Sequence, residues 1–136
     1  IILVQRSWRN RATRRRQIRR RRALSRALKD LGRQRLRDAA DGSLSRALVQ
    51  ALRHYLGDRT GTAAAGLTPS DAVRVLETSG VKPETIARTV AIFERNFEAA
   101  FAGDRPSGFN PRADAAELAG LLKTLDAEMK RGEADE

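Results

Sequence analysis

The sequence predicts an all-α fold, a small four- to five-helix bundle preceded by an Arg-rich juxtamembrane arm. Three observations point to it. Apolar residues recur at three- and four-residue steps in five stretches, with Gly, Pro and capping Ser, Thr or Asn residues between them. No run alternates with period two over β-branched residues, so strands are not expected. Finally, 136 residues at 40% hydrophobic content suffice for one modest core.

The chain divides into an apolar end (1–4), a basic arm (5–22), the bundle (23–132) and a polar tail (133–136). Arg14 to Arg22 reads RRRQIRRRR, seven arginines in nine positions, which no core can absorb without prohibitive desolvation. At 100° per residue these arginines point in every direction around a helix, and Ile18 supplies no apolar stripe. Like charges such as Arg15 with Arg19 and Arg16 with Arg20 oppose an isolated helix, so the arm is expected to be helical only when neutralised. Before it stand Ile1, Ile2, Leu3 and Val4, with Trp8 between. Because the chain opens on Ile and not Met, this apolar end reads as the last turn of a longer hydrophobic segment.

From Ala23 an apolar periodicity begins at Leu24, Ala27, Leu28 and Leu31 and extends through Leu36 and Ala39, predicting a first helix to about Ala40. Asp41-Gly42-Ser43 breaks it. Ser43 suits the N-cap of a second helix with Leu44, Ala47, Leu48, Ala51, Leu52, Tyr55 and Leu56 on one face, and Gly57 suits its left-handed end. In LTPSD, Thr68 caps, Pro69 takes the first helical position and Asp71 completes a shortened capping box, for a short third helix burying Ala72, Val75 and Leu76. Pro83 and Glu84 open a fourth helix with Ile86, Val90, Phe93, Phe97 and Phe101 on one face, predicted to be the central core helix. GDRPSGFNP (103–111) is a loop, in which Asn110 caps and Pro111 opens a fifth helix along Leu118, Leu121, Leu122, Leu125 and Met129, frayed from Arg131.

The net charge of +10 is unevenly placed: residues 1–40 carry 15 Lys and Arg against 2 Asp and Glu, whereas 41–136 carry 12 against 15. The basic character thus belongs to the arm, and a fold that bound nucleic acid across its own surface would need a basic face there. With no cysteine and one histidine, His54, neither a thiolate metal site, a His-based cage nor a Cys/His dyad can be assembled. Gly57 to Gly66 lacks the Gly-Lys-Ser/Thr ending of a phosphate loop and reads as cap plus linker. Glu94 and Glu98 lie one turn apart, but Arg88 and Arg95 are near and the helix needs a solvated face, so no catalytic carboxylate pair is expected. No enzyme, cofactor or metal is anticipated.

The order of these elements resembles the C-terminal cytoplasmic region of the BatD family of bacterial aerotolerance (Bat) proteins. The residues that carry the resemblance are the apolar end running through the Arg-rich segment into RRALSRALKDLG, then SLSRALVQALRHYLGDRTG, then LTPSDAVRVLETSGVKPETIARTVAIFERNFEAAFAG, and a closing Leu-rich helix. None of these is a catalytic signature. The resemblance implies an inner-membrane protein with extracytoplasmic β-rich domains, one transmembrane helix and this helical domain in the cytoplasm. It also implies a scaffold or adaptor role beside MoxR-type AAA+ ATPases and von Willebrand A-domain proteins.

For the arm itself the leading expectation is contact with anionic lipid headgroups, through Trp8 at interface depth and Arg14, Arg15, Arg16, Arg19, Arg20, Arg21 and Arg22. The alternative is a soluble nucleic-acid-binding protein whose arginine run neutralises phosphates. A solvated linker without function is the plainest reading, though it maintains a costly self-repulsion.

Overall fold

The computed structural model describes residues 2–35, 43–103 and 108–134, with side chains for 14–33, 43–103 and 108–133. Five α-helices make the bundle: α1 (Ile2–Arg35), α2 (Ser43–Thr60), α3 (Pro69–Thr78), α4 (Pro83–Phe97), which runs on into a π turn (Glu98–Ala102), and α5 (Pro111–Ala134). Among the described residues there is no strand. The expected break at Asp41-Gly42, the extension through Leu36 and Ala39, residues 104–107 of the loop, and the side chains of Ile1 to Val4 and Trp8 lie outside the described residues.

The arm is not a separate element. It is the first half of α1, and its backbone is helical from Ile2 onward. The reason is cooperative: Ala23, Ala27 and Leu31 are buried against the bundle and hold a helix already nucleated, so each arginine only propagates it. Propagation adds one hydrogen bond per residue, arginine is a good helix former, and each like-charge pair subtracts only a few tenths of a kcal/mol.

The bundle is organised around α2, not α4. The helix α2 packs on α1, α3, α4 and α5, whereas among the described residues α4 does not pack on α1. Its expected apolar face is buried from Leu44 to Leu56, apart from half-buried Ala47. The α4 stripe falls short of a central role because it runs out at the rim: Phe93 is 1% exposed, Phe97 is half-buried, and Phe101 is 54% exposed. Phe101 lies in the π turn, where its ring still packs on Phe97 at 4.9 Å between centroids but is left open to solvent.

Local signals fix most helix ends. Thr68 accepts from the Asp71 amide at 3.2 Å while Asp71 Oδ2 accepts from the Thr68 amide at 3.0 Å, a reciprocal capping box ahead of Pro69. Asn110 Oδ1 accepts from the amides of Arg112 and Ala113 at 3.1 and 3.3 Å and so caps α5. Gly57, expected to end α2, lies inside it, and Gly61 takes the left-handed conformation at φ 77°. What Gly57 allows is a close return of the chain, since a Cβ there would stand 3.0 Å from Ala64 Cβ and 3.1 Å from the Thr62 carbonyl oxygen. The α5 seam, Leu118, Leu121, Leu122, Leu125 and Met129, is buried as expected. Its end is not frayed at Arg131, because the helix continues to Ala134 and Glu133 is anchored by Arg59.

Candidate functional site: the basic helix and the clefts at its foot

Each of Arg14, Arg15, Arg16, Arg19, Arg20, Arg21 and Arg22 is exposed, as helical winding of that run requires. They are not brought together on one side. With Ala23, Ala27 and Leu31 marking the inner face of α1, Arg20 and Arg16 fall on that same face about one and two turns earlier, where both are exposed. Arg15 and Arg22 fall on the opposite side. Trp8 lies on the helical backbone of the arm, and its side chain is outside the described residues.

Arg20 reaches a cleft of about 540 Å³ walled also by Arg59, Thr60, Arg74, Ser79 and Glu133. It opens where α2, α3 and α5 end, and three arginines there face one carboxylate, Glu133, which Arg59 already pairs. Between α1 and α2 lies a second cleft of about 440 Å³, where Arg19, Arg26, Asp30, His54 and Asp58 mix both signs. His54 is exposed on α2, and Glu94 and Glu98 are both exposed on α4 and its π turn, with no shared partner.

Beneath the first cleft runs a buried polar seam that the apolar periodicity passes over. Tyr55 donates to Asp126 Oδ1 at 3.0 Å, and Lys130 pairs with Oδ2 at 3.2 Å. Arg59 Nε faces Asp126 Oδ1 at 3.2 Å without the alignment of a hydrogen bond, so that contact is ionic, while Arg59 Nη1 donates to Glu133 at 2.6 Å. Burial first, and the neighbouring Asp126 carboxylate second, push the Tyr55 phenol far above its ordinary range. Burial works against the Arg59 charge, but the hydrogen bond and charge of Glu133, with Asp126, outweigh it and raise its value. The seam joins α2 to α5.

Two further buried carboxylates do similar work. Glu128 accepts from the Lys82 amide at 3.0 Å and from Thr85 Oγ1 at 2.9 Å, closing the start of α4 that Lys82 itself does not cap by side chain. Asp114 accepts from Arg95 at 2.9 Å and from Asn96 Nδ2 at 3.0 Å, and the hydrogen bond that Arg95 donates to it raises the Arg95 guanidinium above its ordinary range. Arg53, 9% exposed, donates to the Leu67 carbonyl at 2.8 Å and lies over the Phe97 and Phe101 rings at 5.7 and 5.6 Å. A sequence signal for these existed: each is a charged residue three or four positions from apolar ones on a core-facing stripe, as Arg59 is from Tyr55 and Leu56, and Asp126 from Leu122.

Among the described residues no group of three or more His, Cys, Asp or Glu is placed to hold a metal ion, and no helix is long and apolar enough to cross a membrane. No family model, no curated protein and no solved structure matches this chain.

Proposed function

We propose that this chain is a non-enzymatic interaction or scaffold domain of a single-pass inner-membrane protein resembling BatD, facing the cytoplasm. Its arginine arm meets anionic headgroups, and its bundle meets protein partners of the MoxR-type AAA+ and von Willebrand A-domain kinds. The observation that carries the reading is the unbroken course of α1, which joins the apolar Ile2, Leu3 and Val4 to the core positions Ala23, Ala27 and Leu31 through a basic collar exposed at every position from 14 to 22. A helix of that kind transmits the position of its apolar end to the bundle. Cations that follow an apolar end directly are the pattern that fixes this side of a membrane segment in the cytoplasm.

Co-sedimentation with vesicles tests it. Each arginine near an anionic surface contributes about 1 kcal/mol, and Arg14 to Arg16, the nearest to the apolar end, together account for about a hundredfold, so replacing all seven of Arg14–Arg22 by Gln should lower partitioning onto anionic vesicles by at least that much, and salt should weaken the parent likewise. Equal binding of the parent to neutral and anionic vesicles removes the headgroup role. A second reading draws on the same geometry, since an exposed basic helix about 10–12 Å wide fits a duplex major groove about 12 Å wide. Duplex binding with a clear preference among sequences at physiological salt would move the assignment there; sequence-blind binding would not, because any arginine run neutralises phosphates.

A further inference from the structure

The basic surface does not stop at the arm. Beyond Arg15, Ile18 and Arg22, the same side of α1 carries Arg26, Lys29 and Arg33, a row at alternating three- and four-residue steps that turns away from the buried Ala23, Ala27 and Leu31. All six side chains are exposed. Arg26 has one carboxylate within reach, Asp58 at 4.0 Å, and among the described residues Lys29 and Arg33 have no ion partner. Composition had assigned the positive charge to the arm, but packing places three of these cations on the folded domain.

The bilayer cannot use them if α1 leaves it as one rod. At about 1.5 Å per residue, Arg26 lies about 33 Å and Arg33 about 44 Å along the axis from Val4. Headgroups fill only about 5–7 Å of each leaflet, and the Debye length at physiological salt is about 8 Å. Arg14 to Arg16, at about 15–18 Å, come within screening distance of headgroups once side-chain reach is counted. Arg26, Lys29 and Arg33 do not. A second copy paired ridge to ridge is no occupant either, because it would bring like charges together. A phosphate backbone laid along the row would meet the carboxylates at its edge, Asp58 beside Arg26 and Asp30 one turn on, whereas a protein helix can set its acids in a single file between them.

We propose that the outer face of α1 from Arg22 to Arg33 is a docking ridge for an acidic helix of a partner protein, whose carboxylates repeat at the same three- and four-residue steps. This rests on the scaffold reading above and gives that reading a surface and a partner chemistry.

The test uses the whole chain and two charge-matched triple variants at exposed positions, Arg26→Gln/Lys29→Gln/Arg33→Gln on the ridge and Arg16→Gln/Arg19→Gln/Arg20→Gln on the arm. The probes are a synthetic helical peptide with glutamates at alternating three- and four-residue steps, a scrambled isomer of the same composition, anionic vesicles and duplex DNA. At physiological salt the patterned peptide should bind at least fivefold tighter than the scrambled one, and the ridge variant should lose tenfold or more where the arm variant loses less than threefold. Equal binding of the two peptides, or equal losses in the two variants, reduces the ridge to net charge and overturns it. Duplex DNA bound more tightly than the patterned peptide, with loss in the ridge variant, assigns the ridge to nucleic acid and overturns it too. Vesicle binding reports on the other reading: loss in the arm variant but not the ridge variant upholds the membrane role of the arm, and no vesicle binding by the parent ends that role while leaving the peptide result to stand or fall alone.

Discussion

The two halves of α1 are one helix held by different physics. Residues 23–33 are helical because one face is buried, with Ala23, Ala27 and Leu31 each at most 3% exposed. In residues 14–22 every side chain is exposed, and the backbone is helical because the neighbouring half has already met the cost of nucleation. The lesson is that a segment with no core-forming pattern can inherit its structure from its neighbour while keeping its surface free for function. Substitutions at the buried positions of the packed half and in the bundle interior should therefore register as stability, and substitutions at the exposed positions along α1 as binding.

The largest effect should come from the bundle interior. Phe93→Ala, at a 1% exposed site, should cost about 3–5 kcal/mol by lost transfer and cavity formation, and half-buried Phe97→Ala distinctly less. Equal losses in thermal or urea unfolding would mean that the α4 stripe does not run out at the rim. Next should come Asp126→Ala, about 3 kcal/mol, because it strips one partner from buried Arg59 and removes the acceptor of Tyr55. A smaller loss, about 1 kcal/mol, is expected for Thr68→Ala at the capping box.

The same box sets a pH dependence. Backbone hydrogen bonding from Thr68, then the Thr68 side chain, holds the Asp71 carboxyl below its ordinary value of 3.8. A carboxylate depressed by folding contributes stability that is complete above its unfolded value and is lost as pH falls through the folded one. The difference in melting temperature between parent and Asp71→Asn should accordingly be constant at neutral pH and shrink below about pH 4; a gap that widens in acid would contradict it. The smallest effect on stability should come from the arm, where replacing all seven arginines of 14–22 by Gln should leave the melting temperature almost unchanged. A fall of several degrees would show that the exposed half of α1 supports the bundle after all.

Much of this architecture was legible in the chain. The α2 and α5 seams follow from spacing alone, since a 3.6-residue repeat of Leu and Ala leaves one side to bury, and the caps at Thr68 and Asn110 follow from short-range chemistry complete within three residues. What spacing could not give was where a stripe ends: Phe101 continues the pattern of Phe93 and Phe97 but lies at the rim, inside the π turn. Arg59, Asp126 and Glu128 were hidden for a related reason. Periodicity sorts residues by hydrophobicity, and a charge is placed inside only when a partner many positions away satisfies it, as Glu128 satisfies Lys82 and Thr85.

The sequence by itself determined the fold class, the helix boundaries set by Pro69, Pro83 and Pro111, and the exposure of seven arginines, because each rests on local geometry or on the cost of burying charge. Only the tertiary structure decided that α2 is the hub, that the arm continues the bundle's first helix, and that Arg26, Lys29 and Arg33 extend the arm's basic side onto the fold. Those depend on which face of α1 finds a neighbour, and periodicity names a face without naming what covers it.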